Sequence, residues 1–225
     1  MKERPILFNS EMVRAILEGR KTQTRRLLKE KLISEQAEFE CGNRPNVTRS
    51  EPNLQYYIDN GCPFGQIGDR LWVRETWRID PNASGWSMNE DEPCSGWIDY
   101  KAGGTSEVTA PSFNAVQKSF PKGEVDWDFL PFNWRPSIHM PRWASRILLE
   151  ITEIRVERLN EITEADAKAE GLDNSRSEAA IQIGWYELPV PAFRRVWEWI
   201  YGKGSWKQNP WVWVVEFKVI QGGAL

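Results

Sequence analysis

The chain ends in a run of strand-forming residues whose local structure has few alternatives. Residues 211–220 read WVWVVEFKVI, and no Gly, Pro or Asn interrupts them. Aromatic and β-branched side chains favour a pleated, half-buried surface, so we predict a strand buried on at least one face. A second apolar segment, SRILLEITEIRVERL at 145–159, predicts another long strand or a pair of strands. The fold must therefore contain a sheet.

Shorter elements occupy the first third of the chain. RPILF at 4–8 predicts a strand, and Asn9 or Ser10 then caps a helix that stops at Gly19. Residues 70–79 alternate and are rich in Trp, Val and Ile, which predicts another strand. Helices and strands thus follow each other closely here.

Two further helices are predicted in the second half. Thr163 with Asp166 three positions later forms a capping box, which begins a helix that ends at Gly171. Residues 191–202, PAFRRVWEWIYG, have helical spacing of their large apolar side chains. Strands scattered around short helices predict an α+β fold, with an antiparallel or mixed sheet that could close into a barrel.

Two stretches without steady periodicity separate these elements. Residues 27–66 and 80–137 are rich in Pro, Gly, Ser and Asn, and we interpret them as insertions. The second insertion is aromatic enough to pack as a lid or lobe. The length and the single set of elements predict one domain over 1–225.

Composition excludes several classes of protein. With 40% hydrophobic and 27% charged residues, and no apolar run of membrane-spanning length, we expect a cytoplasmic protein without a membrane partner. Three cysteines without CxxC spacing and a single histidine predict neither a disulfide framework nor a metal site, and no cofactor is expected.

The net charge of −3 means that binding to nucleic acid must depend on a local patch. Basic residues cluster at 19–26 and at 135–146. The 13 tryptophans suit stacking on bases, but large rings also fill small cores, and we expect most of them in the core.

The segment GRKTQTRR at 19–26 contains the strongest candidate site. Its crowded cations must be solvated or bind an anion. Gly19, Lys21, Thr24 and Arg26 match the signature Gly-x-Lys-x-x-(Glu or Thr)-x-Arg of the ASCH group, placed after a first short helix as in that group. The chain thus resembles ASCH proteins, and the resemblance implies a PUA-like β-barrel.

The resemblance continues beyond this motif. GDRLWVRETW at 68–77 looks like the family's barrel wall, and ITEADAKAEGL at 162–172 resembles the helix that carries an acidic residue in the N4-acetylcytidine amidohydrolases of the group. That position is Glu170. The resemblance therefore implies Lys21, Thr24 and Glu170 as catalytic residues of an amidohydrolase. The longer phage and prophage ASCH proteins are similar to the chain as a whole.

This trio suits acyl transfer. A threonine hydroxyl needs a base, and a lysine serves when burial or neighbouring cations lower its pKa. Glu170 would exchange protons with the leaving amine. In a regular strand Lys21 and Thr24 would point to opposite faces, so the segment must begin as a turn.

Further side chains are candidates for substrate binding. His139 is the only histidine, and a lone histidine is more often structural than catalytic. Arg74 and Glu75 form either an ion pair that faces water or part of a cleft wall. The substrate-binding candidates are Arg26, Trp72, Arg74, Glu75, Trp77, His139, Arg142 and Trp143.

Two other functions remain open. The chain could be a module that binds RNA, DNA or a modified base without turnover, because the PUA-like fold serves such readers. It could also be an ASCH-type ribonuclease, in which the same residues position a phosphate. The expected partner is a nucleoside or a nucleic acid, RNA rather than DNA.

Overall fold

The computed structural model describes residues 1–28, 58, 61–80, 86, 92–120, 133–172, 178–183 and 186–222. The chain divides into two compact units. The first comprises Met1–Gly19, Arg70–Glu150 and Val219–Leu225, and the second comprises Arg20–Asp69 and Ile151–Lys218. Most of the first predicted insertion lies outside the described residues. The single domain over 1–225 stays a prediction.

The first unit begins with strand β1 (Glu3–Leu7) and helix α1 (Ser10–Leu17). The side chain of Asn9 accepts a hydrogen bond of 2.8 Å from the backbone N–H of Met12, which satisfies one of the unpaired amides of the first turn. The chain leaves the helix at Gly19, whose φ of +72° favours glycine. The predicted strand, cap and helix end are confirmed.

Strand β3 (Arg70–Arg74) connects the strands of this unit's first sheet. It pairs in parallel with β1 and antiparallel with the start of strand β7 (Leu148–Arg158). Leu71 and Val73 are buried, as alternation along the strand requires.

The prediction of a single strand over residues 70–79 was wrong. The chain leaves β3 after Arg74 and enters a second strand, β4 (Trp77–Ile79), in a different sheet. Glu75 lies at the break and is buried, with the same parity as buried Leu71, Val73 and Trp77. Its carboxylate accepts two hydrogen bonds from Arg146.

The second sheet of the first unit is antiparallel, in the order β4-β5-β6, with β5 at Cys94–Tyr100 and β6 at Thr105–Ala110. Helix α2 (Phe113–Gln117) follows. The core between this sheet and the helix includes Trp77, Ile98, Phe113 and Met140. The second predicted insertion therefore contains regular structure with a core.

In the second unit, strands pair in the order β7-β8-β2, and β2 (Gln23–Leu27) is antiparallel to β8 (Trp211–Gln221). The helices of this unit are α3 (Glu164–Ala169), α4 (Glu178–Ile183) and α5 (Pro189–Tyr201). The predicted capping box of Thr163 and Asp166 is confirmed at the start of α3.

The core of the second unit confirms the structural interpretation of several tryptophans. Trp197 packs with Phe193 on α5 against Val212 and Val214 of β8. Trp213 is also buried, as is Trp77 in the first unit. In contrast, Trp199 on α5 is 78% exposed.

The mixed and antiparallel sheets with short helices confirm the α+β class. Closure into a barrel stays a prediction. Helix α5 begins at Pro189 rather than at 191, and α4 was not predicted. Among the described helices, none combines the length and the apolar character needed to cross a membrane.

Candidate functional site

Lys21 and Glu170 meet in the interior of the second unit. Lys21 precedes β2, Glu170 is the C-cap of α3, and the two form an isolated antiparallel bridge. The Lys21 Nζ lies 2.7 Å from Glu170 Oε2 and also donates to the carbonyl oxygens of Gln23 and Glu170, at 2.8 and 3.0 Å. Both side chains are buried, with 1% and 6% of the residue exposed. Two residues 149 positions apart in sequence thus form one buried ion pair.

Backbone hydrogen bonds hold this pair in place. The N–H of Thr22 donates to the carbonyl of Ala169, and the N–H of Phe217 donates to the carbonyl of Thr22, both at 2.8 Å. Arg20 Nη1 donates to the carbonyl of Gly171, also at 2.8 Å. The end of α3 is therefore fixed against the basic motif by the backbone as well as by the ion pair.

Arg25 extends the buried charges along β2. Its Nη2 lies 3.1 Å from Glu157 Oε2 and 3.3 Å from Asp166 Oδ2, while its Nη1 lies 3.6 Å from Glu170 Oε1. The Arg25 side chain is fully buried. A buried guanidinium requires such partners because its charge is costly to remove from water.

Arg155 forms a second, more exposed layer on the same face. Its Nη2 lies 3.0 Å from Asp166 Oδ1 and donates to Gln23 Oε1 at 3.3 Å. The guanidinium also binds the carboxylates of Glu157 and Glu216. Its Nη1 also lies 3.5 Å from Glu153 Oε1, so five acidic side chains of the described part of the chain pair with Lys21, Arg25 and Arg155.

One carboxylate oxygen in this cluster is unsatisfied. Glu170 Oε2 accepts from Lys21, but Glu170 Oε1 is buried without a hydrogen-bond partner among the described residues. The nearby Arg25 Nη1 and Nε are in the same condition. Arg25 Nη1 and Glu170 Oε1 lie 3.6 Å apart, so they form an ion pair just beyond hydrogen-bond distance.

Burial has the largest effect on the pKa of Lys21. Desolvation lowers the pKa of this ammonium group, Glu170 opposes that change, and the positive charges of Arg26 and Arg25 add to the decrease. Burial alone would raise the pKa of Asp166, but hydrogen bonds from Thr163 and the charge of Arg25 lower it to about 2. Burial and neighbouring arginines lower the lysine pKa in the predicted direction.

Thr24 is buried but differently oriented. Gln23 and Arg25 both contact Asp166, so alternation along β2 directs Thr24 and Arg26 to the opposite face. The Thr24 hydroxyl makes no hydrogen bond within the described part of the chain. The regular strand begins only at Gln23, which agrees with the irregular start expected for this segment. The structure thus brings Lys21 and Glu170 together, without the Thr24 hydroxyl bonded to either.

Seven of the eight predicted substrate-binding residues lie in the first unit, and only Arg26 lies in the second. On the first unit, Arg74 and Arg142 flank the ring of Trp72, with guanidinium carbons 5.3 and 6.0 Å from its centroid. Arg74 also donates to the carbonyls of Ile138 and Met140, which fixes the turn that carries exposed His139. Trp72, Arg74, His139 and Arg142 therefore form a basic–aromatic patch.

Glu75 and Trp77 lie in the interior of the first unit. Arg146 donates two hydrogen bonds to Glu75, at 2.9 and 3.0 Å, and its guanidinium carbon lies 4.0 Å from the Tyr100 ring centroid. Burial raises the pKa of Glu75, and the hydrogen bonds and charge of Arg146 oppose that rise. Trp77 is fully buried and packs edge-on against partly buried Trp143. Both residues fill the core rather than an open surface.

The sequence reasoning missed most of the charged cluster. The sequence predicts Arg25 only to lower the pKa of Lys21, and Asp166 only to cap a helix. It predicts no role for Gln23, Arg155 or Glu157. Alternation was the available signal, because the side chains of residues 21, 23 and 25 in a strand point to one face and those of 24 and 26 point to the other. Among the described residues, no three His, Cys, Asp or Glu side chains are grouped so that they could hold a metal ion.

Comparisons with known proteins give little further information. No family model matches the chain, and no curated protein matches it. The chain is similar to a solved structure described as an ASCH domain from Lactobacillus crispatus JV V101, with a TM-score of 0.35 and 14% identity. The similarity covers 98% of this chain and 80% of the other. A similarity this low does not establish a shared fold or family.

Proposed function

We propose that the chain is an ASCH-group protein with a PUA-like barrel fold, and that it hydrolyses the amide of an N4-acylated cytosine. The motif resemblance suggests the reaction. The observation that carries the proposal is the buried Lys21–Glu170 pair, in which Glu170 Oε1 lies 3.6 Å from Arg25 Nη1 and accepts no hydrogen bond from the described residues. A carboxylate held in this way can receive the exocyclic amino group of a cytosine.

The reaction has two steps. Thr24 Oγ1 attacks the acyl carbonyl carbon and loses its proton to the neutral amine of Lys21. The C–N bond then breaks, and the released cytosine amino group takes up that proton with Glu170 as the carrier. Water next hydrolyses the threonine ester, which yields a carboxylic acid and restores the hydroxyl. The lowered pKa of Lys21 favours the neutral amine that the first step requires.

The direct test is incubation of the purified protein with N4-acetylcytidine, with deacetylation followed by absorbance. Lys21→Ala, Thr24→Ala and Glu170→Gln should each reduce kcat/KM at least about a hundredfold, the usual effect of removing a proton-transfer group or nucleophile. Exposed residues of the same unit provide matched controls: Lys168→Ala, Thr152→Ala and Glu164→Gln should retain activity.

Two results would contradict the proposal. One is a folded wild-type protein that releases no cytidine, and the other is undiminished turnover by Thr24→Ala. Because the Thr24 hydroxyl is not bonded to Lys21 or Glu170, the Thr24 variants decide between direct nucleophilic attack and attack by water. Loss of activity in Thr24→Ala together with retained activity in Thr24→Ser would show that the hydroxyl itself reacts.

A second candidate is a module that binds RNA without turnover. The supporting observation is the basic–aromatic patch, where two arginines flank Trp72. Such a surface suits base stacking together with phosphate contacts. Binding of single-stranded RNA and DNA dodecamers at about 50 and 200 mM salt would test it, since phosphate contacts weaken steeply with salt.

Trp72→Ala and Arg142→Ala should weaken RNA binding, whereas Trp199→Ala, an exposed tryptophan on α5, should not. Equal binding by all variants would exclude the patch. Cleavage of the bound RNA, lost in Lys21→Ala, would instead favour a ribonuclease.

A further inference from the structure

Strand β6 lies at the edge of the second sheet of the first unit, after β4 and β5. A cleft of about 610 Å³ runs beside it and contacts every residue from Gly104 to Thr109. A cleft over one face of a strand would contact alternate residues, because successive side chains point to opposite faces. Contact with consecutive residues therefore places the cleft along the strand edge.

The register with β5 determines which backbone groups point into this edge. The N–H of Tyr100 donates to the carbonyl of Gly104 at 3.1 Å, so residues of β6 with even numbers form the hydrogen-bonded pairs with β5. The intervening residues direct their N–H and C=O groups away from β5. These residues are Thr105, Glu107 and Thr109, and all three are exposed.

Among the described residues, the edge has few of the features that prevent strand addition. Residues 105–110 read TSEVTA, without Pro or Lys and with a single charge at Glu107. Proteins usually protect edge strands with charged residues, prolines, bulges or covering segments. An edge with free backbone groups can receive an extended segment as an additional strand.

The opposite wall of the cleft is cationic. Arg142 and Arg146 line it together with Trp143 and Ser145. The Arg142 Nε lies 2.8 Å from Glu3 Oε2, but the two side chains are 42% and 38% exposed, and such surface pairs are weak enough to exchange partners. Arg146 uses Nε and Nη2 for Glu75, and its Nη1 has no hydrogen-bond partner among the described residues. Both arginines can therefore contact an acidic side chain in the cleft.

A second copy of this chain fits the edge poorly. In antiparallel pairing of two β6 strands about Glu107, the two Glu107 side chains would lie directly opposite each other, and like charges at that position are destabilising. An acidic segment from another protein avoids this, since its carboxylates can alternate toward the arginines. The charge of the wall thus selects between the two occupants.

We propose that the cleft beside β6 binds an extended acidic segment of a partner protein, which adds to the sheet as a fourth strand. Backbone hydrogen bonds to Thr105, Glu107 and Thr109 hold the segment, and Arg142 and Arg146 select acidic side chains. This interaction is separate from the Lys21–Glu170 site and does not depend on its activity.

The test uses wild-type protein and a fluorescein-labelled heptapeptide, Ser-Val-Glu-Val-Glu-Val-Ser, with its Lys-for-Glu analogue. Fluorescence anisotropy should show binding of the acidic peptide at least about tenfold tighter than that of the basic one, because charge complementarity discriminates between them. Two backbone-methylated peptides then test strand addition, one N-methylated at the valines and the other at the glutamates. Only one of the two should bind, because alternate amides face opposite edges of a strand.

Two variants locate the site. Glu107→Pro removes an outward amide without removing a pair to β5 and should abolish binding, while Glu107→Gln should retain it. Arg142→Glu should weaken binding about tenfold or more, whereas Arg195→Glu, at an exposed arginine of the second unit, should not.

Several results would overturn the proposal. These are equal affinity for the acidic and basic peptides, equal binding of both methylated peptides, and displacement of the acidic peptide by a single-stranded oligonucleotide. Dimerisation in solution that is lost in Glu107→Pro would instead assign the edge to a second copy.

Discussion

At the residue scale, Lys21 is unusual because its ammonium group is buried and directs all three of its hydrogens at acceptors. Three hydrogen bonds favour the protonated state, while burial lowers the pKa. The same side chain can therefore stabilise the fold and supply a base when a ligand changes its surroundings. Stability and activity must be measured separately in any Lys21 variant.

Lys21→Met should lower the free energy of unfolding by about 3 kcal/mol, since removal of one partner leaves the other charge buried without compensation. Lys168→Met, at an exposed lysine on α3, should change it little. Urea unfolding followed by circular dichroism measures both. The double variant Lys21→Met/Glu170→Gln should recover part of the loss. Equal stability of Lys21→Met and wild type would show that the ion pair contributes nothing.

Some contacts of individual residues could be predicted from the sequence and others could not. The partnership of Lys21 with Glu170 followed from the family motif, since no local rule links positions 149 residues apart. Arg25 could not be placed in the same way, because its acidic partners come from β7 and α3 and only the folded chain brings them together. Glu170 also departs from its local expectation. A glutamate at the end of a short helix is usually exposed, and here it is buried.

At the scale of elements, strand β5 was hidden by its composition. Cys94, Gly96, Ile98 and Tyr100 alternate as buried positions, so a period of two was present in the sequence. Glycine is a weak strand former, and the surrounding Pro, Ser and Asn residues indicated a loop. The start of helix α3 was predictable to the residue, because its cap at Thr163 is a local signal, and the helix ends at Ala169, two residues before the glycine that was predicted to end it.

Gly96 in β5 has a packing role that can be tested. A Cβ atom at this position would lie 2.0 Å from Cε2 of Trp86, a residue of the same core. Gly96→Ala should therefore displace the indole and destabilise the protein by about 3 kcal/mol, the upper range for an overpacked core. Thermal unfolding and the near-ultraviolet circular dichroism of tryptophan measure the two effects. With Trp86→Ala as background, the same substitution should cost much less. An equal cost in both backgrounds would assign the effect to the backbone.

At the scale of the whole molecule, two carboxylates with opposite pKa shifts give the two units opposite responses to pH. In the first unit burial raises the pKa of Glu75, so its contribution to stability is present at low pH and is lost as the pH rises through that raised value. In the second unit the pKa of Asp166 falls from 3.8 to about 2, so its contribution is present above about pH 4 and is lost as the pH falls toward 2. Acid should therefore weaken the second unit first.

Asp166→Asn tests this directly. At pH 6 the variant should be less stable than wild type by about 1–2 kcal/mol, after allowance for the partial exposure of Asp166, because Asn cannot pair with Arg25 and Arg155. At pH 2 the difference should be much smaller, since Asp166 is then partly protonated and a protonated aspartic acid is also neutral. Urea titrations at intervals from pH 6 to pH 2 give the profile, and hydrogen exchange of the α3 amides localises it. Glu164→Gln, at an exposed carboxylate of the same helix, should follow the wild-type curve. A wild-type profile that stays parallel to that of Asp166→Asn over this range would show that the charged network around Arg25 does not set the acid stability of the second unit.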